Sequence, residues 1–404
     1  MRTRMRVALW FVATAALAGD AIARQRTEQE IVEVIVRDGP RAQAIRAASD
    51  VVTSTHSARW AFPNPSASYS REGAGFTEFY QVEQAFPAFG LRSALERVGV
   101  ATREAAEAER DAALWQLRSE AREAIARLGA ATERLESLRA VVGSIDTLIA
   151  VLVTREREGE GSRFDRLRAQ QDLVEAQQQV VDATIEEAEA RGALAGMLPP
   201  AIVLPSRLPA SRSGSVPDSV DALITRALAA RAELRALNAA IRRFGLEAEA
   251  ARSATGWAPT LSGSLKRAEE AADTRAGAAI GLNLAVPVFN RGSREAARWI
   301  AEKSRAEFER LVTEVSIRAQ VTRAFDAARH RRAALPALTA AATESDELIT
   351  IADVAYREGD VGILQLMDAY RTAARAQGRA IDATLNLALS EIALERAVGV
   401  SLWP

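Results

Sequence analysis

The chain has no cysteine and only two histidines among its 404 residues. That excludes thiol catalysis, disulfide scaffolding and cysteine-bound zinc, and with them a lipid anchor carried on cysteine. His330 sits in His330-Arg331-Arg332 and His56 has no partner nearby in the chain, so no metal site is assigned. Aromatic residues make up only 5%, a composition that fits long alanine-rich helices rather than a thick mixed core. Charge of one sign is also missing. With 52 basic against 53 acidic residues, there is no footprint for nucleic acid. Beyond the N-terminal region no 18 consecutive residues are apolar, so no membrane-spanning helix is expected. There is no glycine-rich phosphate loop, nucleophile elbow or acid–base pair at diagnostic spacing. No catalytic residue and no cofactor is assigned, and the chain reads as a non-enzyme.

What is present begins with Met1-Arg-Thr-Arg-Met-Arg6, an apolar run from Val7 to Ala18, and Ala21-Ile22-Ala23. A basic start, a short apolar run and an Ala-x-Ala site read as a signal peptide over 1–23. The chain then says the same thing twice. Arg157-Glu158-Gly159-Glu160 recurs as Arg357-Glu358-Gly359-Asp360, and Ala85-Phe86-Pro87-Ala88-Phe89 recurs as Ala285-Val286-Pro287-Val288-Phe289. This predicts two large copies, 24–198 and 218–404, joined by a Pro- and Ser-rich linker over 199–217.

Each copy predicts a helix (Glu28 to Ala58, and Ser219 to Ser253), a strand pair and a long helical hairpin. In the first hairpin Leu114, Leu117, Ala121, Ala124, Leu128, Ala131, Leu135, Leu138, Val142, Ile145, Ile149 and Leu152 alternate steps of three and four. That is a coiled-coil seam. A helix from Ser93 to Arg155 would be roughly 90 Å long at about 1.5 Å per residue. The return helix, 162–197, shows a seam at Leu167, Val174, Val181, Ala188 and Ala195. The second copy repeats the plan over 293–356 and 363–398. Charge runs such as Arg103 to Asp111 read as solvated helix faces.

The strand pairs are Asn64 to Arg71 with Phe76 to Phe86, and Pro259 to Arg267 with Ala278 to Val286. The second pair is expected to flank a Glu- and Ala-rich loop ending at Gly277. Ile280, Leu282, Leu284 and Val286 alternate with small or polar residues, as in a membrane β-strand. The same alternation fits ordinary hairpins on a soluble domain. If the strands enter a membrane, four per chain leave unpaired backbone in hydrocarbon. Chains must then pool strands, and three would give a barrel of about twelve.

Several motifs together resemble the TolC-like outer-membrane efflux family, and more narrowly its CzcC-like heavy-metal branch. They are Trp60-Ala-Phe-Pro-Asn-Pro-Ser66, Gln84-Ala-Phe-Pro-Ala-Phe-Gly-Leu-Arg92, Trp257-Ala-Pro-Thr-Leu261 and Val286-Pro-Val-Phe-Asn-Arg-Gly292. The turns Arg157-Glu-Gly-Glu-Gly-Ser162 and Tyr356-Arg-Glu-Gly-Asp-Val-Gly362 complete the set. The resemblance covers nearly the whole mature chain. It implies a mainly α protein with a small β part: a homotrimer with a shared twelve-stranded barrel in outer-membrane lipid and a long periplasmic α-barrel. Such proteins carry substrates, heavy-metal cations in this branch, outward from an inner-membrane pump of RND type through a periplasmic adaptor.

For the residues, the resemblance implies adaptor contact at the tips, through Arg157, Gly159, Gly161 and Ser162 in copy one and Arg357, Gly359, Val361 and Gly362 in copy two. It implies a pore constriction drawn from Asp368, Asp165 and Gln365. Where the family often has an acid six positions after the tip glycine, copy one has Asp165 but copy two has Gln365. The junction Gly90-Leu91-Arg92 also departs from the Gly-Lys-Arg usual in the metal branch. Trp60, Phe86, Phe89, Trp257 and Phe289 flank the strands as an interfacial aromatic belt would. Pro87 and Pro287 mark strand-to-helix junctions. The competing reading is a periplasmic coiled-coil adaptor or scaffold. An adaptor, however, needs one hairpin and lipoyl-like β halves, whereas this chain has two hairpins.

Overall fold

The computed structural model describes residues 27–73, 77–202, 204, 219–270, 273–286 and 288–403. The signal-peptide reading, most of the linker and Pro287 lie outside them. The elements run α1 (Glu28–Asp38), α2 (Pro40–Ser57), a 3₁₀ turn (Ala58–Trp60), β1 (Ser66–Glu72), β2 (Thr77–Ala85), α3 (Leu91–Glu158) and α4 (Arg163–Ala195). The second copy follows as α5 (Val220–Ala230), α6 (Ala232–Ala254), β3 (Ala258–Glu270), β4 (Asp273–Ala285), α7 (Ser293–Glu358) and α8 (Ile363–Val398).

The continuous helices expected before each strand pair are each broken in two. Thr27 starts α1 with a capping box, accepting from the Glu30 amide while the Glu30 carboxylate accepts from the Thr27 amide at 2.9 Å. The helix ends at Gly39, where a Cβ would lie 2.4 Å from the Ile35 carbonyl, and Pro40 opens the next helix. In copy two Ser219 caps α5, and the break falls at Arg231, which has extended backbone. Its buried side chain donates to the Arg396 carbonyl at 2.7 Å and to Gln320 at 3.0 Å. That contact is tertiary, so no local pattern announced it.

The strands form one antiparallel sheet in the order β1-β2-β3-β4. The Glu- and Ala-rich loop expected before Gly277 is largely strand: β3 runs on to Glu270 and β4 begins at Asp273. The copy-one hairpin spans 66 to 85, 20 residues, and the copy-two hairpin 258 to 285, 28 residues. This explains why strand starts are 192 apart while tip glycines are 200 apart.

The chain divides into two compact units, each drawing on both copies. One holds α1, α3 from Ala121, α4, α7 from Ala334 and α8 to Ala388. The α3 seam is realised here: Ala121, Leu128, Ala131, Leu135, Ile145 and Leu152 are buried. The seam expected on α4 is not the one that packs within the chain. Ala169, Asp172, Ala176, Ala183 and Leu194 turn inward, while Leu167, Val174 and Val181 stay exposed with Phe164 and Ile185. The small residues let helices approach closely, which leaves the large ones as an uncovered stripe. Contrary to the expectation from unbroken apolar runs, α3 contains an 18-residue stretch of mean hydropathy 1.6, apolar enough to cross a membrane by composition. Leucine, isoleucine and valine raise its mean although polar and charged residues interrupt the run, and only 17% of the stretch is buried within the chain.

The other unit holds the sheet with α2, α5 and α6. Its core joins Leu223 and Leu234 to Ile317, Val321, Phe325, Leu394 and Val398, closed by Trp403. The Glu395 carboxylate accepts from the Leu402 and Trp403 amides at 2.8 and 3.2 Å, which pins the C-terminal segment. An ion pair between the half-exposed Arg59 and the buried Glu247, at 2.6 Å, ties the 3₁₀ turn to α6.

Candidate functional site: twin helical tips and an open apolar sheet

The two tips share one backbone hydrogen-bond pattern. In each, the glycine amide donates to the third carbonyl back, Gly159 to Glu156 at 3.3 Å and Gly359 to Tyr356 at 3.2 Å. The next amide donates to the fifth carbonyl back, Glu160 to Arg155 and Asp360 to Ala355, both at 2.9 Å. These are Schellman stops, and they place Gly159 at φ 81° and Gly359 at φ 86°. A Cβ on either glycine would meet no atom within 4 Å. Backbone conformation, not crowding, requires glycine there. Gly161 differs: its Cβ would lie 2.7 Å from the Glu156 amide nitrogen.

Both tips sit side by side in one unit. Arg155 donates to the Arg357 carbonyl at 3.3 Å and lies 5.8 Å from the centre of the Tyr356 ring. Below them Leu148, Leu152 and Ala169 pack with Tyr356, Ile363, Leu366, Met367 and Tyr370. Burial, then the charge of Asp165, pushes the Tyr356 hydroxyl above its usual range; burial, then Asp353, does the same for Tyr370. Glu156 accepts from Arg166 at 2.5 Å, and that bond holds its carboxyl below the usual range. Arg157, Arg357, Gly159, Gly359, Ser162 and Gly362 are exposed at the turns, while Gly161 and Val361 are half covered.

The three residues of the expected constriction do different things. Asp368 is exposed on α8. Asp165 is half covered and interacts with Tyr356. Gln365 caps its own helix, its side-chain oxygen accepting from the Gly362 amide at 3.0 Å. Ser162 does the equivalent work in copy one by accepting from the Phe164 amide. The swap of acid for amide at 365 thus accompanies the swap of serine for glycine at 362. Sequence reasoning missed Asp172, which is buried between Arg371 at 3.2 Å and Arg168 at 3.5 Å. It lines a cavity of about 130 Å³ with Leu138, Ile145, Met367 and Tyr370. A lone acid among glutamines on a long helix carries no sequence signal for this.

In the sheet, pairing register sorts the two faces. Tyr69 faces Tyr80 and Tyr80 faces Leu265; Val82, Gly263 and Ile280 form the next row; Leu261 faces Leu282 and Pro259 faces Leu284. All belong to one face. The other face carries Ser66, Ser68, Ser70, Gln81, Glu83, Ser262, Ser264, Lys266 and Asn283. The apolar face is open, with Ile280 87% and Leu282 65% exposed. Of the five belt aromatics, Phe86, Phe89, Trp257 and Phe289 are exposed. Trp60 is not: its ring lies where a side chain on Gly99 would go, and it packs on Ala94, Leu95 and Val98.

Two helical hairpins, twin Schellman tips and a four-stranded sheet with one apolar face make a fold that is similar to that of solved outer-membrane channels. Residues 223–400 match the family model described as "Outer membrane efflux protein". That match covers most of the second copy and less than half of the chain. The fold agrees over most of the chain. The outer-membrane channel OprN is similar at TM-score 0.75 and 19% identity, covering 93% of this chain and 90% of that one. The Neisseria gonorrhoeae MtrE outer membrane channel is similar at TM-score 0.72 and 20% identity, covering 92% and 89%. CusC, described through transmembrane channel formation, is similar at TM-score 0.74 and 15% identity, covering 93% and 92%. No curated protein matches the sequence.

Proposed function

We propose that this chain is an outer-membrane efflux channel, the passive exit of a tripartite system that receives substrate through a periplasmic adaptor from an inner-membrane pump of RND type. The observation that carries the reading is the sheet. It has two edges, β1 and β4, and an exposed apolar face. Open edges in hydrocarbon cost several kcal/mol per unpaired group, so the sheet closes only with other copies. A trimer supplies about twelve strands, above the roughly eight of the smallest barrels. The uncovered stripe of Leu167, Val174, Val181 and Ile185 on α4 supports the same assembly, because large apolar side chains at heptad spacing need a second helix. The tips are the proposed adaptor contacts, and Asp368 the acid that lines the constriction. The proposed cargo is heavy-metal cations, supported by the motif resemblance to the CzcC-like branch. Planar-bilayer recording from purified trimers tests the channel, with cation-selective pores expected; trimers without conductance refute it. Loss of metal tolerance on deleting the gene, restored by the wild-type chain, tests the cargo.

A further inference from the structure

An apolar cavity of about 510 Å³ opens at the foot of the sheet, lined by Phe62, Phe86, Phe89, Pro259, Leu261 and Leu282. Its size falls in the range of about 300–1,000 Å³ typical of small-ligand sites. Leu261 and Leu282 are a register pair on the apolar face described above. The cavity therefore continues the sheet's apolar face. One cation stands in its wall. Arg92 lies 4.9 Å from the centre of the Phe62 ring and pairs with Glu96 at 3.3 Å. Both side chains of that pair are more than half exposed, so Glu96 competes only weakly for the guanidinium. The first turn of α3 contains no acidic residue to neutralise it further.

We propose that this cavity is a phospholipid site: one acyl chain fills the apolar space and an anionic headgroup phosphate meets Arg92. The inference rests on the barrel reading above. A guanidinium matches phosphate geometry with two parallel donors. The apolar walls offer nothing to a polar solute. Leu261 and Leu282 of the lining belong to the sheet's open face, not to the α4 stripe left for a neighbouring helix.

Native mass spectrometry of trimers reconstituted in vesicles of phosphatidylglycerol and phosphatidylethanolamine, then released in mild detergent, tests it. The expected result is one retained lipid per protomer, with phosphatidylglycerol preferred. Arg92→Glu should reduce phosphatidylglycerol occupancy at least tenfold, and Arg92→Lys should largely keep it. Leu282→Trp, on an exposed strand position, should fill the cavity and displace both lipids while pores still conduct. Conducting wild-type trimers that retain no lipid overturn the proposal, as does lipid retention unchanged in both Arg92→Glu and Leu282→Trp. The chain has no cysteine of its own, so a Phe89→Cys variant reports on one position. Its efficient cross-linking between protomers would show that a second copy fills the cavity, which also overturns the proposal. Absence of both trimers and pores in the wild type removes the barrel reading, and this inference with it.

Discussion

Replacing Asp172 by asparagine probes the packing of α4 on α8 near the tips. The side chain of Asp172 is 8% exposed, and its two partners, Arg371 and Arg168, are 36% and 38% exposed. Breaking a fully buried ion pair from one side costs about 3–5 kcal/mol, because the remaining charge stays buried and unpaired. Here the arginines can reach water, so screening reduces that to about 1–2 kcal/mol. A loss of about 1.4 kcal/mol is a tenfold shift in an equilibrium. If α4 and α8 must separate for the tip to widen, Asp172→Asn shifts the closed-to-open balance roughly tenfold. The assay is open probability in planar bilayers, run beside the thermal melting of the trimer. A double-mutant cycle with Arg371→Ala isolates the pair, with a coupling of about 1 kcal/mol expected. Unchanged gating and melting in Asp172→Asn, or a coupling near zero, would refute the reasoning.

Four further outcomes are expected. Gly359→Arg should leave trimers intact and abolish efflux, since it puts a bulky side chain at the proposed adaptor contact and strains the left-handed turn by about 1–2 kcal/mol; normal drug or metal tolerance in cells refutes the contact. Gly161→Ala should destabilise the tip more than Gly159→Ala, because only its Cβ meets backbone, at 2.7 Å; hydrogen exchange at the turn amides ranks the two. Asp368→Ala should weaken block by multivalent cations, as expected when converging carboxylates lose their charge, and unchanged block sinks its role as the constriction. His56 is buried, and desolvation lowers its pKa below 6.5, with the backbone of Leu95 acting the other way. The unfolded chain then binds the proton first, so stability is full above about pH 6.5 and declines as pH falls toward the folded value; trimer melting in His56→Gln should lose that acid slope.

Much of the plan was legible along the chain because it depends on local signals. Alternating steps of three and four marked α3, and Leu117, Ala121, Leu128, Ala131, Leu135, Ile145 and Leu152 of that series are buried, joined by Ile125 and Leu148 outside it. Glycine after a helical run marked both tips, because a positive φ is cheap only for glycine. Alternation in Ile280, Leu282 and Leu284 marked one face of β4. The misses have a common cause, a partner distant in sequence. Arg231 breaks a helix to reach Arg396 and Gln320, and Trp60 turns inward to fill the space over Gly99. On α4 two seams compete, and only packing chose the alanine seam for the chain's own interior.

The amino-acid order by itself determined the duplication, the hairpins, the tip turns and the absence of any thiol, since each follows from residue type and spacing. Tertiary structure decided which acids matter. Asp165 and Gln365 hold the same place after their tip glycines and Asp368 lies three residues further on, yet one interacts with a tyrosine, one caps a helix and one faces solvent, while Asp172 goes inward between two arginines. Charge acts through distance and burial, and neither exists until the helices are packed.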